Sequence, residues 1–181
     1  MKYIYILLLL LLFSSCLIRF TGITNDYDLL TESQKSKIKK LNDFNSIEKD
    51  YIYELTGPQL LNELKKYDKS LVYYFVNGCK SENCLPLQII VNYAAEFDYK
   101  LFLIMCGYGG LKQTEDQNID APLFSINTDY YESNKSKIYR AHFKTDIGLT
   151  EYLGDNIFLG SYFFYEKDKL IDVKERIKYE M

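Results

Sequence analysis

Residues 71–84 read LVYYFVNGCKSENC: six apolar or aromatic residues run into Asn-Gly, then two cysteines separated by four polar residues. Thiols at the end of a buried strand suit three chemistries: thiol–disulfide exchange, a structural crosslink, or half of a metal site. Exchange needs an activated thiolate. A cysteine between a strand and a following helix meets unpaired N–H groups and the positive end of the helix dipole, which favour that form. Lys80 next to Cys79 assists and Glu82 opposes. A zinc site would have to recruit Cys106 and His142, the chain's single histidine, to join Cys79 and Cys84. Only the first pair has ligand spacing.

The elements that position these thiols can be read from period and punctuation. Residues 71–76 and 100–106 (KLFLIMC) are near-continuous apolar runs of strand length, suited to strands covered on both faces. Between them, residues 85–97 predict a helix with Pro86 at its start and Ile89, Ile90, Tyr93, Ala94 and Phe97 on one side. Upstream, residues 51–55 predict a strand. Thr56 to Gln59 form a capping box with Pro58 near the helix start, and Leu60, Leu61 and Leu64 share the helix face. Downstream, residues 122–127 predict a strand and residues 130–154 one or two short helices. Residues 157–175 predict a closing hairpin that turns at Glu166–Lys169. The fold class is α/β, a mixed sheet flanked by helices, in which the strand–helix–strand unit demands a parallel pair.

The chain opens MKYIYILLLLLLFSSC: one lysine, an unbroken apolar run, two serines and Cys16. The run is shorter than the ~20 residues of a membrane-spanning helix and has the build of a secretory signal. Small residues directly before Cys16 resemble the lipobox of bacterial lipoproteins. That resemblance implies removal of residues 1–15, lipid attachment at Cys16 and a protein held to the membrane outside the cytoplasm, facing the periplasm. Residues 16–50 are polar and lysine-rich and read as a tether. It holds one short helix, opened by a capping box at Thr31–Gln34 and striped by Ile38 and Leu41. The domain proper then spans residues 51–181. Outside the cytoplasm disulfides persist, and three further cysteines allow at most one intramolecular bridge.

LVYYFVNGC is similar to the strand and loop that lead into the first active-site cysteine of the thioredoxin family, over residues 51–173 as a whole. The resemblance implies a thioredoxin-like fold and thiol–disulfide exchange with envelope protein thiols, Cys79 attacking and Cys84 resolving. The sequence departs from the family in several places. Its cysteines are four residues apart rather than two, Gly78 replaces an aromatic, and Tyr73 stands where many members bury an acid. The family's cis-proline aligns with Pro122 or, preferably, with Gly160-Ser161, an alignment that leaves a long insert ahead of the hairpin. A non-catalytic thioredoxin-fold binding module, with the pair as a staple, is the alternative reading. The spacing also resembles one group of peroxiredoxins, but Val76 occupies the position of their threonine.

Charge narrows the partners. Twenty-two basic against 25 acidic residues give a net −3, without the clustered basic surface that nucleic acid requires. No cofactor motif is present. GYGGL (107–111) lacks the Gly-Lys-Ser/Thr of a phosphate loop and reads as a flexible strand exit. Cys106 reads as a buried small hydrophobe and His142 as solvated or capping a helix.

Overall fold

A computed structural model describes residues 21–79, 81, 84–149 and 161–178. The expected signal peptide and Cys16 lie outside the described residues. In chain order the elements are α1 (Glu32–Lys35), β1 (Ile38–Lys40), β2 (Ile52–Leu55), α2 (Gly57–Leu64), β3 (Ser70–Phe75), α3 (Leu87–Glu96), β4 (Lys100–Met105), α4 (Leu111–Glu115), β5 (Leu123–Ile126), α5 (Ser136–Asp146), β6 (Tyr162–Glu166) and β7 (Lys169–Lys174). The strands form one seven-stranded mixed sheet in the order β1-β2-β5-β4-β3-β6-β7. Pairs within β1-β2-β5-β4-β3 are parallel, and β6 and β7 continue the sheet antiparallel.

The apolar runs explain the layers. All six residues of β3 are buried, and the two-residue period of a strand sends them to opposite faces. Val72 and Tyr74 join Leu60 and Leu64 of α2 and Tyr139 and Phe143 of α5 in one core cluster. Leu71, Tyr73 and Phe75 join Leu87, Ile90 and Ala94 of α3 and Leu111 of α4 in the other. A strand covered on both sides has no polar face, so its sequence does not alternate. Both capping boxes form: Thr31 with Gln34 and Thr56 with Gln59. The hairpin turns over Lys167 and Asp168, with Lys167 at φ 53° and Glu166 paired to Lys169.

Two features differ from the sequence expectation. The stretch expected as a tether is packed from Asn25 onward: Leu30 and Leu41 are buried, and Ile38, expected on the helix stripe, begins β1. Its polarity is that of an edge strand, where charged side chains face solvent and discourage pairing with another chain. Lys40 pairs with Asp129 at 2.8 Å, and the Lys39 ammonium lies 3.1 Å from the centre of the Tyr51 ring. The second difference is topological. β3, α3 and β4 form the expected adjacent parallel pair, whereas β2 and β3, joined by α2, are separated by β5 and β4. β5 comes from the segment between β4 and the hairpin and completes the parallel half of the sheet.

Candidate functional site

Cys79 follows the carboxyl end of β3, an interior strand, through Val76, Asn77 and Gly78. In open α/β sheets this end is where ligands and chemistry gather. Val76 is 54% exposed and Asn77 is buried. Gly78 adopts φ +64°, and a side chain there would meet Gln113 at 3.3 Å. The left-handed conformation turns the chain off the sheet, which glycine does without a Cβ penalty.

Asn77 holds this turn in place. Its Nδ2 donates to the Gly107 carbonyl at 2.7 Å, and its Oδ1 accepts from Thr114 Oγ1 at 2.6 Å. One buried amide therefore ties the exit of β3 to the exit of β4 and to α4. The β4 exit, expected to be flexible, is itself built. Tyr108 is buried, its N–H donates to the Asn25 carbonyl at 2.7 Å, and its hydroxyl bridges Glu54 and Ser125 at 2.8 Å each. Burial raises the Tyr108 phenol and the Glu54 carboxyl above their usual ranges.

Cys79 and Cys84 form a disulfide with Cα atoms 6.0 Å apart. Cys79 is exposed and Cys84 half-buried, and the Cys84 N–H closes a turn on the Ser81 carbonyl at 2.9 Å. Helix α3 starts only at Leu87, so Cys84 rather than Cys79 is the nearer cysteine to its tip. The Leu87 N–H is taken by Gln117 Oε1 at 2.8 Å. One of the helix's orphan donors is thereby satisfied by a side chain and withheld from sulfur. Lys80 and Glu82, weighed above as neighbours of the thiol, lie outside the described residues.

Beside the disulfide opens a cavity of about 340 Å³, walled by Tyr73, Phe75, Leu85, Leu87, Gln113 and Gln117. Tyr73 stacks on Tyr162 with ring centres 4.6 Å apart and on Phe75 at 5.4 Å. Burial pushes the Tyr73 phenol upward, so it is a neutral hydroxyl at neutral pH.

The remaining sequence candidates separate. Pro122 precedes β5, and β5 runs parallel to β3, which puts this proline at the sheet edge opposite Cys79. No peptide bond among the described residues is cis. Ser161 sits at the thiol end, its carbonyl accepting the Tyr74 N–H at 2.8 Å, while Gly160 lies outside the described residues. Cys106 is a buried free thiol on the α2–α5 face, and His142 is exposed on α5, stacked on Tyr131 with ring centres 6.2 Å apart. The four candidate zinc ligands do not converge. Among the described residues no three metal-ligating side chains do.

Fold and site together define an α/β protein with a seven-stranded mixed sheet and a disulfide at the exit of an interior parallel strand. No family model, no curated protein and no solved structure matches the chain. Among the described residues no helix is long and apolar enough to cross a membrane.

Proposed function

We propose that the protein is a thioredoxin-like thiol–disulfide exchange protein, tethered outside the cytoplasm through a lipid on Cys16. The observation that carries the exchange reading is the exposed residue Cys79 in a disulfide at the exit of β3, beside an apolar cavity. In the oxidised form a client thiolate attacks Cys79 Sγ, the Cys79–Cys84 bond breaks, and Cys84 leaves as a thiolate that takes a proton. A second client thiolate then attacks the client sulfur of the mixed disulfide and expels Cys79. The client gains a disulfide and the protein gains two thiols, two electrons in all. Reduction of a client is the same sequence reversed, with Cys79 attacking and Cys84 resolving. The unequal exposure of the two residues, Cys79 exposed and Cys84 half-buried, supports that division of roles.

The second reading, a binding module in which the disulfide is a staple, draws on two observations. The α3 tip is capped by Gln117, and a neutral phenol stands in the acid's place. Equilibration against glutathione buffers, read by alkylation and mass spectrometry, separates the two readings. Exchange predicts a potential inside the range of cellular thiol–disulfide couples and an insulin-reduction activity lost in Cys79→Ser. A couple that stays oxidised below about −300 mV marks a structural bridge. The anchor is tested separately: metabolic labelling with palmitate should mark the full chain and fail in Cys16→Ala.

A further inference from the structure

A second cavity, of about 300 Å³, lies on the other side of the Val76–Gly78 turn. The disulfide cavity faces α3 and α4, whereas this one faces α5 and the packed amino-terminal segment. Its lining includes Cys106, Gly107, Gly109 and Gly110 of the β4 exit. These glycines have a packing reason. A Cβ at Gly109 would overlap Asp26 Oδ2, and one at Gly110, where φ is +75°, would lie 3.0 Å from the Asn77 carbonyl oxygen.

Two opposite charges line the same cavity without meeting. Asp26 is 5% exposed; its carboxylate accepts from the Gly22 N–H at 2.8 Å and from Thr24 Oγ1 at 3.3 Å. Arg140, half-buried on α5, donates through Nε to the Tyr74 hydroxyl at 2.8 Å. Among the described residues neither charge has an ion-pair partner. Taking a charge out of water without a counter-charge is costly. The Asp26 carboxylate has lone pairs beyond its two donors, and the Arg140 fork keeps its terminal N–H groups beyond the one given to Tyr74. The groups missing from this cavity are thus an oxyanion for Arg140 and an ammonium for Asp26. A simple anion would meet repulsion from Asp26, and a simple amine repulsion from Arg140, so each charge selects against single-sign ligands. The volume is at the small end of ligand sites.

We propose that this cavity binds a small zwitterion of amino-acid size, its carboxylate on the Arg140 guanidinium and its ammonium on Asp26. The site is separate from the disulfide and makes no demand on its redox chemistry.

The test uses the full-length oxidised chain in detergent, titrated calorimetrically with the twenty amino acids and, as single-charge controls, with acetate, inorganic phosphate and ethylamine. At least one amino acid binds saturably at millimolar concentration or below, and the controls do not. Arg140→Gln and Asp26→Asn, each shown to be folded by circular dichroism, weaken that binding by about tenfold or more, as expected for a lost charge-assisted hydrogen bond. Should a variant fail to fold, amide shifts in the wild type decide: binding perturbs Gly107, Gly109 and Gly110. The proposal is overturned if no amino acid binds, if acetate or ethylamine binds as well as the best amino acid, if folded variants bind like the wild type, or if the shifts map elsewhere.

Discussion

If one buried amide holds the cysteine turn, Asn77→Ala should cost far more than a loop substitution. It removes the donor to the Gly107 carbonyl and the acceptor for Thr114 Oγ1, and Thr114 is 1% exposed, so water cannot replace the partner without rearrangement. Each orphaned buried group costs about 1–3 kcal/mol, which puts the single variant, with two of them, at about 2–6 kcal/mol of destabilisation. Thr114→Val is nearly isosteric and strands only the Asn77 Oδ1, for about 1–2 kcal/mol. In the double variant, hydroxyl and partner vanish together, so its cost should fall below the sum of the singles by about 1 kcal/mol or more. The assay is urea unfolding of the oxidised full-length chain, followed by tyrosine fluorescence, since the chain has 18 tyrosines and no tryptophan. Equal m-values across the four proteins confirm that the comparison is one of stability. Additivity within about 0.5 kcal/mol, or an Asn77→Ala cost near that of a surface change, refutes the tie.

Other outcomes are as definite. Cys84→Ser should lower stability by about 2 kcal/mol relative to the oxidised wild type, because a bridge spanning a sequence separation of 5 closes only a short loop. The urea midpoint reads that loss. Cys106, 7% exposed and with its thiol pushed up by burial, should resist iodoacetamide in the folded protein and react once urea unfolds it; mass spectrometry of the digest shows which. Lys144 is buried on α5, and burial lowers it from 10.5 to about 8, with Arg140 adding to the depression. Between those values the unfolded chain carries a proton that the folded chain has released, so stability rises with pH across that window. Relative to Lys144→Met, which lacks the proton site, the wild type should gain on the order of 3 kcal/mol over the window; pH-dependent urea curves that run parallel contradict it. The raised Cys106 thiol, which binds its proton more tightly in the folded state, opposes this trend, and because it faces Lys144 the comparison is made in a Cys106→Ala background.

Local signals in the sequence translated well. The unbroken runs at 71–76 and 100–105 became β3 and β4 because a doubly covered strand has no solvent face to mark with polar residues. Thr31 and Thr56 became caps because capping uses groups only three residues apart. β1 was not legible. Ile38 and Leu41 are spaced as on a helix face, and what makes Ile38–Lys40 a strand is hydrogen bonding to β2, including the Leu41 N–H to the Glu54 carbonyl at 2.9 Å. The insertion of β5 between β2 and β4 was equally hidden, since a strand's own pattern states that it is buried and not beside which neighbour.

The site divides along the same line, and the division bears on its chemistry. Asn77-Gly78 announces a turn, and Cys79 at a strand exit announces a placed thiol; both follow from adjacent residues. Along the chain, the nearest source of a field at Cys79 is the tip of the following helix. The fold gives the first α3 N–H to Gln117, a residue on a different connection, and fixes the turn through Gly107 and Thr114 from two others. Asp26 and Arg140 come to one cavity from positions more than a hundred residues apart, and no motif links them. Capping of the Leu87 N–H leaves the exposure of Cys79 and its presentation by Asn77 to be weighed against the dipole of α3. A substitution at Gln117 provides the contrast: Gln117→Ala frees the Leu87 N–H at the tip of α3, the helix that follows Cys84. If the dipole governs the couple, that change should stabilise the reduced thiolate form and raise the potential. If presentation governs it, Asn77→Ala should alter exchange rates while Gln117→Ala leaves the potential where it was.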